Sequence, residues 1–224
     1  MPLPCVETET GPGPRHSIIW LHGLGADGND FMPLVPQLTE RAWPPLRFVF
    51  PHAPVRPVTV NGGMRMRAWY DIQAFDLHAR QDENGMRAAI AEVEALIERE
   101  TARGVAAERI LLAGFSQGGA IALATALRHR QPLAGAIALS TYLPLQAHSA
   151  AERSMANTHL PVFMGHGRLD PIVPMALGLR SRDALATLGH AVDWHSYVMA
   201  HQVCPEEIAD LRAWIGVRLR GAPG

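Results

Sequence analysis

The chain has 224 residues, enough to bury a substantial core, and the length predicts a single domain over 1–224. Apolar residues make up 48% and the formal charge is −1; arginines such as Arg65 and Arg67 stand singly, a pattern that speaks against a nucleic-acid partner. No run of 18 apolar residues occurs, so no stable membrane insertion is expected.

The first residues, MPLPCVETETGPGPR, have neither the basic start nor the apolar centre of a signal peptide. Cys5 and Cys204 fit neither a disulfide framework nor a CxxC site, so a cytoplasmic location is expected. Residues 3–9 are expected to form an edge strand before the Gly11-Pro12-Gly13-Pro14 turn. His16–Leu21 is short and β-branched, as a central strand should be. It runs into a loop with glycines at 23, 25 and 28, where the backbone can approach a ligand. A phosphate cradle is not expected there: the GxxxxGK[ST] pattern is missing and Asp27 would repel phosphate. The GxGxxG spacing of a dinucleotide site is met, but no helix opens at Gly28 and no acidic ribose-binding residue follows. Asp30 is a candidate N-cap for a helix from Phe31 to about Ala42, with Leu34, Val35 and Leu38 facing a sheet.

Leu46–Phe50 reads as the next strand. Prolines at 51, 54 and 57 and the Asn61-Gly62-Gly63 turn predict an irregular segment over 51–67, a length that suits a functional loop. Trp69 and Met64 are candidates for lining a substrate pocket beside it. Glu83–Arg103 predicts a long helix, with Met86, Ile90, Val93 and Ile97 at helical spacing and Gly104 ending it. A strand at Ile110–Ala113 and a helix rich in alanine flank Gly114-Phe115-Ser116-Gln117-Gly118. Strands are expected at Gly135–Ser140, Pro161–Gly165 and Val192–Val198, and helices at Pro174–Leu188 and Pro205–Arg220. Tyr142 and Leu143, in the loop after the first of these strands, are further pocket candidates. Residues 141–160 leave little room for a large lid.

The stretch around Ser116 matches G-x-S-x-G between a strand and a helix. That context puts a serine on a strained corner at the C-terminal edge of a sheet, over a helix N-terminus. A hydroxyl needs a base to become a nucleophile, and the base needs an acid to fix its tautomer. Asp170, on a turn just past the strand at 161–165, and His201, on a loop past the last strand, follow Ser116 in the chain order Ser, Asp, His. His195 and Asp193 are the rivals, but both lie inside a strand rather than at its rim. His22 and His166 end strands and are expected to support the site. The oxyanion donors would be the backbone N–H groups of Leu24 and Gln117. This chemistry calls for no cofactor and no metal, and no HxxxH or HExxH spacing occurs. The expected substrate is a small-molecule ester or acyl thioester.

HGLGADGNDF at 22–31, FPHAPVRPVTVNGG and MRAWYD within 50–71, GFSQGGAIAL at 114–123, GHGRLDPIVP at 165–174 and HQVCPEEI at 201–208 span most of the chain. Together they resemble the phospholipase/carboxylesterase family of small α/β-hydrolases, which includes bacterial carboxylesterases and acyl-protein thioesterases. The resemblance implies a mostly parallel sheet flanked by helices, without a large lid domain. It implies a cofactor-free serine carboxylesterase for short- to medium-chain esters, with acyl-protein thioesterase or lysophospholipase activity as the alternative. A peptidase or amidase, or a non-catalytic binding protein, are the more distant readings. The family nucleophile, acid and base fall on Ser116, Asp170 and His201, and its oxyanion amides on Leu24 and Gln117. One departure is Met199-Ala200-His201-Gln202, where relatives usually carry Gly-x-x-His-Ser. Gln202 is bulkier than serine and is expected to narrow the pocket beside the histidine. Met64, Trp69, Tyr142 and Leu143 suit either an acyl groove or a homodimer surface.

Overall fold

The computed structural model describes residues 3–73 and 81–220. Its strands are β1 (Cys5–Glu9), β2 (His16–Leu21), β3 (Leu46–Pro51), β4 (Val55–Val58), β5 (Met64–Arg67), β6 (Ile110–Phe115), β7 (Gly135–Leu139), β8 (Val162–Gly167) and β9 (Val192–Tyr197). Its α-helices are α1 (Val35–Leu38), α2 (Glu83–Ala102), α3 (Gln117–Arg128), α4 (Gln146–Glu152), α5 (Met175–Thr187) and α6 (Pro205–Leu219).

Seven strands form one sheet in the order β1-β3-β2-β6-β7-β8-β9. Only β1 is antiparallel, pairing Cys5 with Pro51 and Glu9 with Arg47 along the edge. The parallel strands carry apolar residues on both faces because helices cover both. On β2, Ile19 and Leu21 join a core with α2 and α3. Ile18 and Trp20 point the other way, into a core with α1 and α6. The same alternation splits Leu112 from Leu111 on β6 and Ala138 from Ile137 on β7. From Gln117 to Leu127 every residue of α3 is buried, and its run of Gly and Ala side chains lets it lie close to β6 and β7.

Two segments differ from their expected form. In place of a helix over 31–42 there is a 3-10 turn, Met32–Leu34, and a single α turn, Val35–Leu38. Pro33 and Pro36 supply no N–H, and Thr39 leaves the helix in an extended conformation (φ −126°, ψ 158°). Asp30 makes no cap, while Val35 and Leu38 are buried as expected. The stretch expected to be irregular contains a hairpin, β4 paired antiparallel with β5. Gly62 (φ 65°) and Gly63 (φ 78°) close its turn, and a two-stranded ribbon has an open edge for Pro57, which lacks a donor. Between β7 and β8 there is only α4 and a short 3-10 turn, so the connection forms no large lid. Among the described residues, no helix is long and apolar enough to cross a membrane.

Glu207, in the first turn of α6, is fully buried, and its carboxyl packs against Gly165 on β8 without a hydrogen-bond partner among the described residues. Burial, with Asp210 adding to it, pushes the acid up to about 8. Between the ordinary carboxyl range and pH 8 the folded chain therefore keeps a proton that the unfolded chain has released. Stability should fall over that window by about 1.4 kcal/mol per pH unit from this group alone. Glu207→Gln is expected to remove this slope. Thermal unfolding of both proteins from pH 5 to pH 8 checks it, and parallel curves would refute it.

Candidate active site

β6 reverses into α3 through one residue. Ser116 sits there with φ 54° and ψ −121°, a conformation that side-chain-bearing residues rarely adopt. The corner is held from several directions: Ser116 N–H donates to Leu139 O at 2.8 Å, and the Thr141 hydroxyl donates to Ser116 O at 2.6 Å. Two flanking positions must lack a side chain. A Cβ on Gly114 would lie 2.4 Å from the Gly118 carbonyl carbon, and one on Gly118 would lie 2.4 Å from Leu21 O.

His201 Nε2 lies 2.9 Å from Ser116 Oγ, and its Nδ1 lies 2.7 Å from Asp170 Oδ2. Both bonds form when Nδ1 carries the proton and Nε2 accepts from the serine hydroxyl. The other Asp170 oxygen accepts from Ile172 N–H and Val173 N–H, each at 2.9 Å, on the turn after β8. Its carboxylate is shielded from solvent, whereas the His201 side chain stays 17% exposed, as a group that meets substrate must. The Phe115 ring supports the imidazole at a centroid distance of 4.7 Å.

Two further histidines brace the surrounding loops. His22 Nδ1–H donates to Gly23 O at 2.7 Å, and its Nε2 accepts from Ala53 N–H at 3.1 Å. His166 Nε2–H donates to Val173 O at 2.8 Å, closing the turn that holds Asp170. Burial lowers the pKa of both rings, which favours the neutral forms these bonds require. The hairpin also takes part: Gly25 N–H donates to Arg67 O at 2.9 Å, anchoring the loop that carries Leu24.

A cavity of about 440 Å³ opens at Ser116 and His201. Leu24 and Gln117 line it, as does Tyr142, so these expected residues meet Ser116 and His201 in one place. Its apolar wall comes from Phe115, Ile172, Val173, Leu177, Met86 and Ile72. Tyr70 and Tyr142, their hydroxyls 2.8 Å apart, join Asp30, Asp71, Gln81 and Asp82 as the polar part of the wall. Burial raises the pKa of both tyrosines, so they remain protonated donors.

Four expected pocket residues do not reach this wall. Trp69 is fully buried, and its indole N–H donates to His22 O at 2.9 Å. Leu143 is buried in the core beside α5, its N–H donating to the Ser181 hydroxyl. Met64 is 64% exposed at the turn end of the hairpin, and Gln202 is exposed beyond His201. Gln202 therefore does not narrow the cavity. Of the residues suited to a homodimer surface, only Met64 is left largely open to solvent. The rivals Asp193 and His195 pair with each other at 3.0 Å on β9, and the His195 ring stacks on Phe163 away from the cavity.

Sequence reasoning missed Tyr70, Met86, Leu177, Ile172 and Val173 as cavity residues. Met86 carried a signal, since it recurs at helical spacing on α2, but that spacing does not separate a core position from a cavity wall.

A family model described as Phospholipase/Carboxylesterase matches residues 4–218. Acyl-protein thioesterase 1 of Mycosarcoma maydis is 40% identical over 225 residues, covering 94% of each chain. Acyl-protein thioesterase 1 of Neurospora crassa is 39% identical over 216 residues, covering 92% of this chain and 88% of that one. Among solved structures, Arabidopsis thaliana SOBER1 superposes with a TM-score of 0.86 at 30% identity, covering 92% of this chain and 99% of its own. Zea mays acyl-protein thioesterase 2 gives 0.82 at 28% identity, covering 96% and 99%. The chain belongs to the phospholipase/carboxylesterase family, serine-type ester hydrolases built on the α/β-hydrolase fold.

Proposed function

We propose that this chain is an acyl thioesterase whose nucleophile is Ser116, with His201 as base, Asp170 as the acid that orients it, and the Leu24 and Gln117 amides as oxyanion donors. The observation that carries the reading is the continuous hydrogen-bond chain from Asp170 through His201 to Ser116, opening onto a largely apolar cavity. The Ser116 hydroxyl attacks the acyl carbonyl and passes its proton to His201 Nε2. The tetrahedral oxyanion accepts from the two amides, and His201 then protonates the departing sulfur or oxygen. Water activated by the same ring releases the acid from Ser116.

The sequence favoured a carboxylesterase and held thioesterase second; the names of the relatives support the reverse order. The cavity lies toward the lower part of the range of about 300–1,000 Å³ common for ligand sites, which suits a medium acyl chain. The same reading takes residues 1–224 as one domain, supported by the single seven-stranded sheet on which the helices pack. Two unpaired cysteines support a cytoplasmic location.

Comparing S-ethyl and O-ethyl octanoate tests the choice, because the acyl group is the same in both. A higher kcat/KM for the thioester is expected. A clear preference for the oxygen ester would return the enzyme to the carboxylesterase reading.

A further inference from the structure

The two amides assigned to the oxyanion belong to separate pieces of chain, the loop after β2 and the start of α3. Among the described residues, no hydrogen bond joins 23–25 directly to 116–118. The two pieces meet through backbone contact, since a Cβ on Gly118 would lie 2.5 Å from His22 O, and three short hydrogen bonds tie segment 69–70 to both of them. Trp69 N–H donates to Gln117 Oε1 at 2.8 Å, and Gln117 Nε2–H donates to Tyr70 O at 2.8 Å. On the other side the Trp69 indole N–H donates to His22 O at 2.9 Å, one residue before Gly23. Trp69, Gln117 and His22 are 0%, 3% and 2% exposed, so water does not compete for these bonds.

We propose that the Gln117 side chain and the Trp69 indole are positioning residues that fix the two oxyanion amides relative to each other, with segment 69–70 as a brace bonded to both pieces. This rests on the oxyanion assignment made above. The geometry accounts for two otherwise unexplained features. Gln117 is a long polar side chain buried at the start of a helix rich in Gly and Ala, and both ends of its amide are spent on one dipeptide. Trp69 is the largest side chain beside the catalytic corner, yet it is withheld from the cavity and uses its single polar atom on the loop that carries Leu24. Oxyanion donors act through fixed placement, so a shift of a few tenths of an ångström weakens the transition state more than the bound substrate.

Gln117→Met removes both bonds of the clamp at nearly constant volume. It is expected to lower kcat by about 10- to 100-fold, with KM within twofold of the wild type. Trp69→Phe removes only the tether to His22 and is expected to lower kcat by about tenfold. The diagnostic readout is an octyl trifluoromethyl ketone, to which the serine adds to leave a tetrahedral oxyanion. Its affinity should fall by the same factor as kcat/KM in each variant. Should Gln117→Met fail to fold, Trp69→Phe, which keeps the clamp, decides alone. The inference is overturned if kcat stays within twofold of the wild type, or if the loss falls on KM while ketone affinity holds. Inactive wild-type protein, or full activity in a Ser116→Ala variant, would instead overturn the catalytic reading beneath it.

Discussion

Ser116→Ala is expected to lower kcat by about a millionfold while leaving the fold intact, because the covalent route then has no nucleophile. The effect is this large because, in the proposed mechanism, His201 and the oxyanion amides act only on chemistry that begins at Oγ. Among the described residues, that hydroxyl bonds only to His201. The corner is held by Ser116 N–H and Ser116 O, which alanine retains, and by the close approach of Gly114 and Gly118. Melting temperatures within a few degrees of each other, beside kinetics on S-ethyl octanoate, check both halves. A variant retaining a hundredth of wild-type activity would remove Ser116 from its role.

Asp170→Asn is the second large effect, and the turn after β8 predicts how it arises. Asp170 Oδ1 accepts from two backbone N–H groups, Ile172 and Val173. Those donors force an asparagine to place its oxygen there and its NH2 toward His201. The amide then donates to Nδ1, where the carboxylate accepted. The His201 proton is pushed to Nε2, facing Ser116, and the ring can no longer take the serine proton. A fall in kcat of about 10⁴-fold with little change in KM is expected. Nitrogen-resolved NMR of the imidazole should show the proton moved from Nδ1 to Nε2. An active Asn variant would mean that Asp170 does not orient the base.

Much of the site was legible because its parts carry local signatures. Ser116 lies between a strand and a helix with glycines where backbones must touch, while Asp170 and His201 each follow a strand on a turn. The loop glycines at 23 and 25 marked the Leu24 region for the same reason. The cavity wall was not legible, since Tyr70, Met86, Ile172 and Leu177 come from separate segments and meet only through the tertiary fold. Helical spacing says that Met86 faces inward, not whether a partner or a void lies opposite. Trp69 shows the converse: its place beside the long loop suggested a pocket wall, but its indole N–H and backbone are committed to His22 and Gln117. At the level of elements, apolar spacing over 31–42 matched a helix, but Pro33 and Pro36 break its hydrogen-bond ladder and Thr39 leaves it in an extended conformation. Pro57 appeared to forbid a strand, yet a two-stranded ribbon accepts a proline at its open edge.

Acid-quenched mass spectrometry during turnover of S-ethyl octanoate looks for an acyl group carried on Ser116. The protein should gain the mass of one octanoyl group, mapped to the peptide containing Ser116 and missing from the Ser116→Ala protein. An adduct on any other residue, or equal turnover by the alanine variant, would contradict the covalent route.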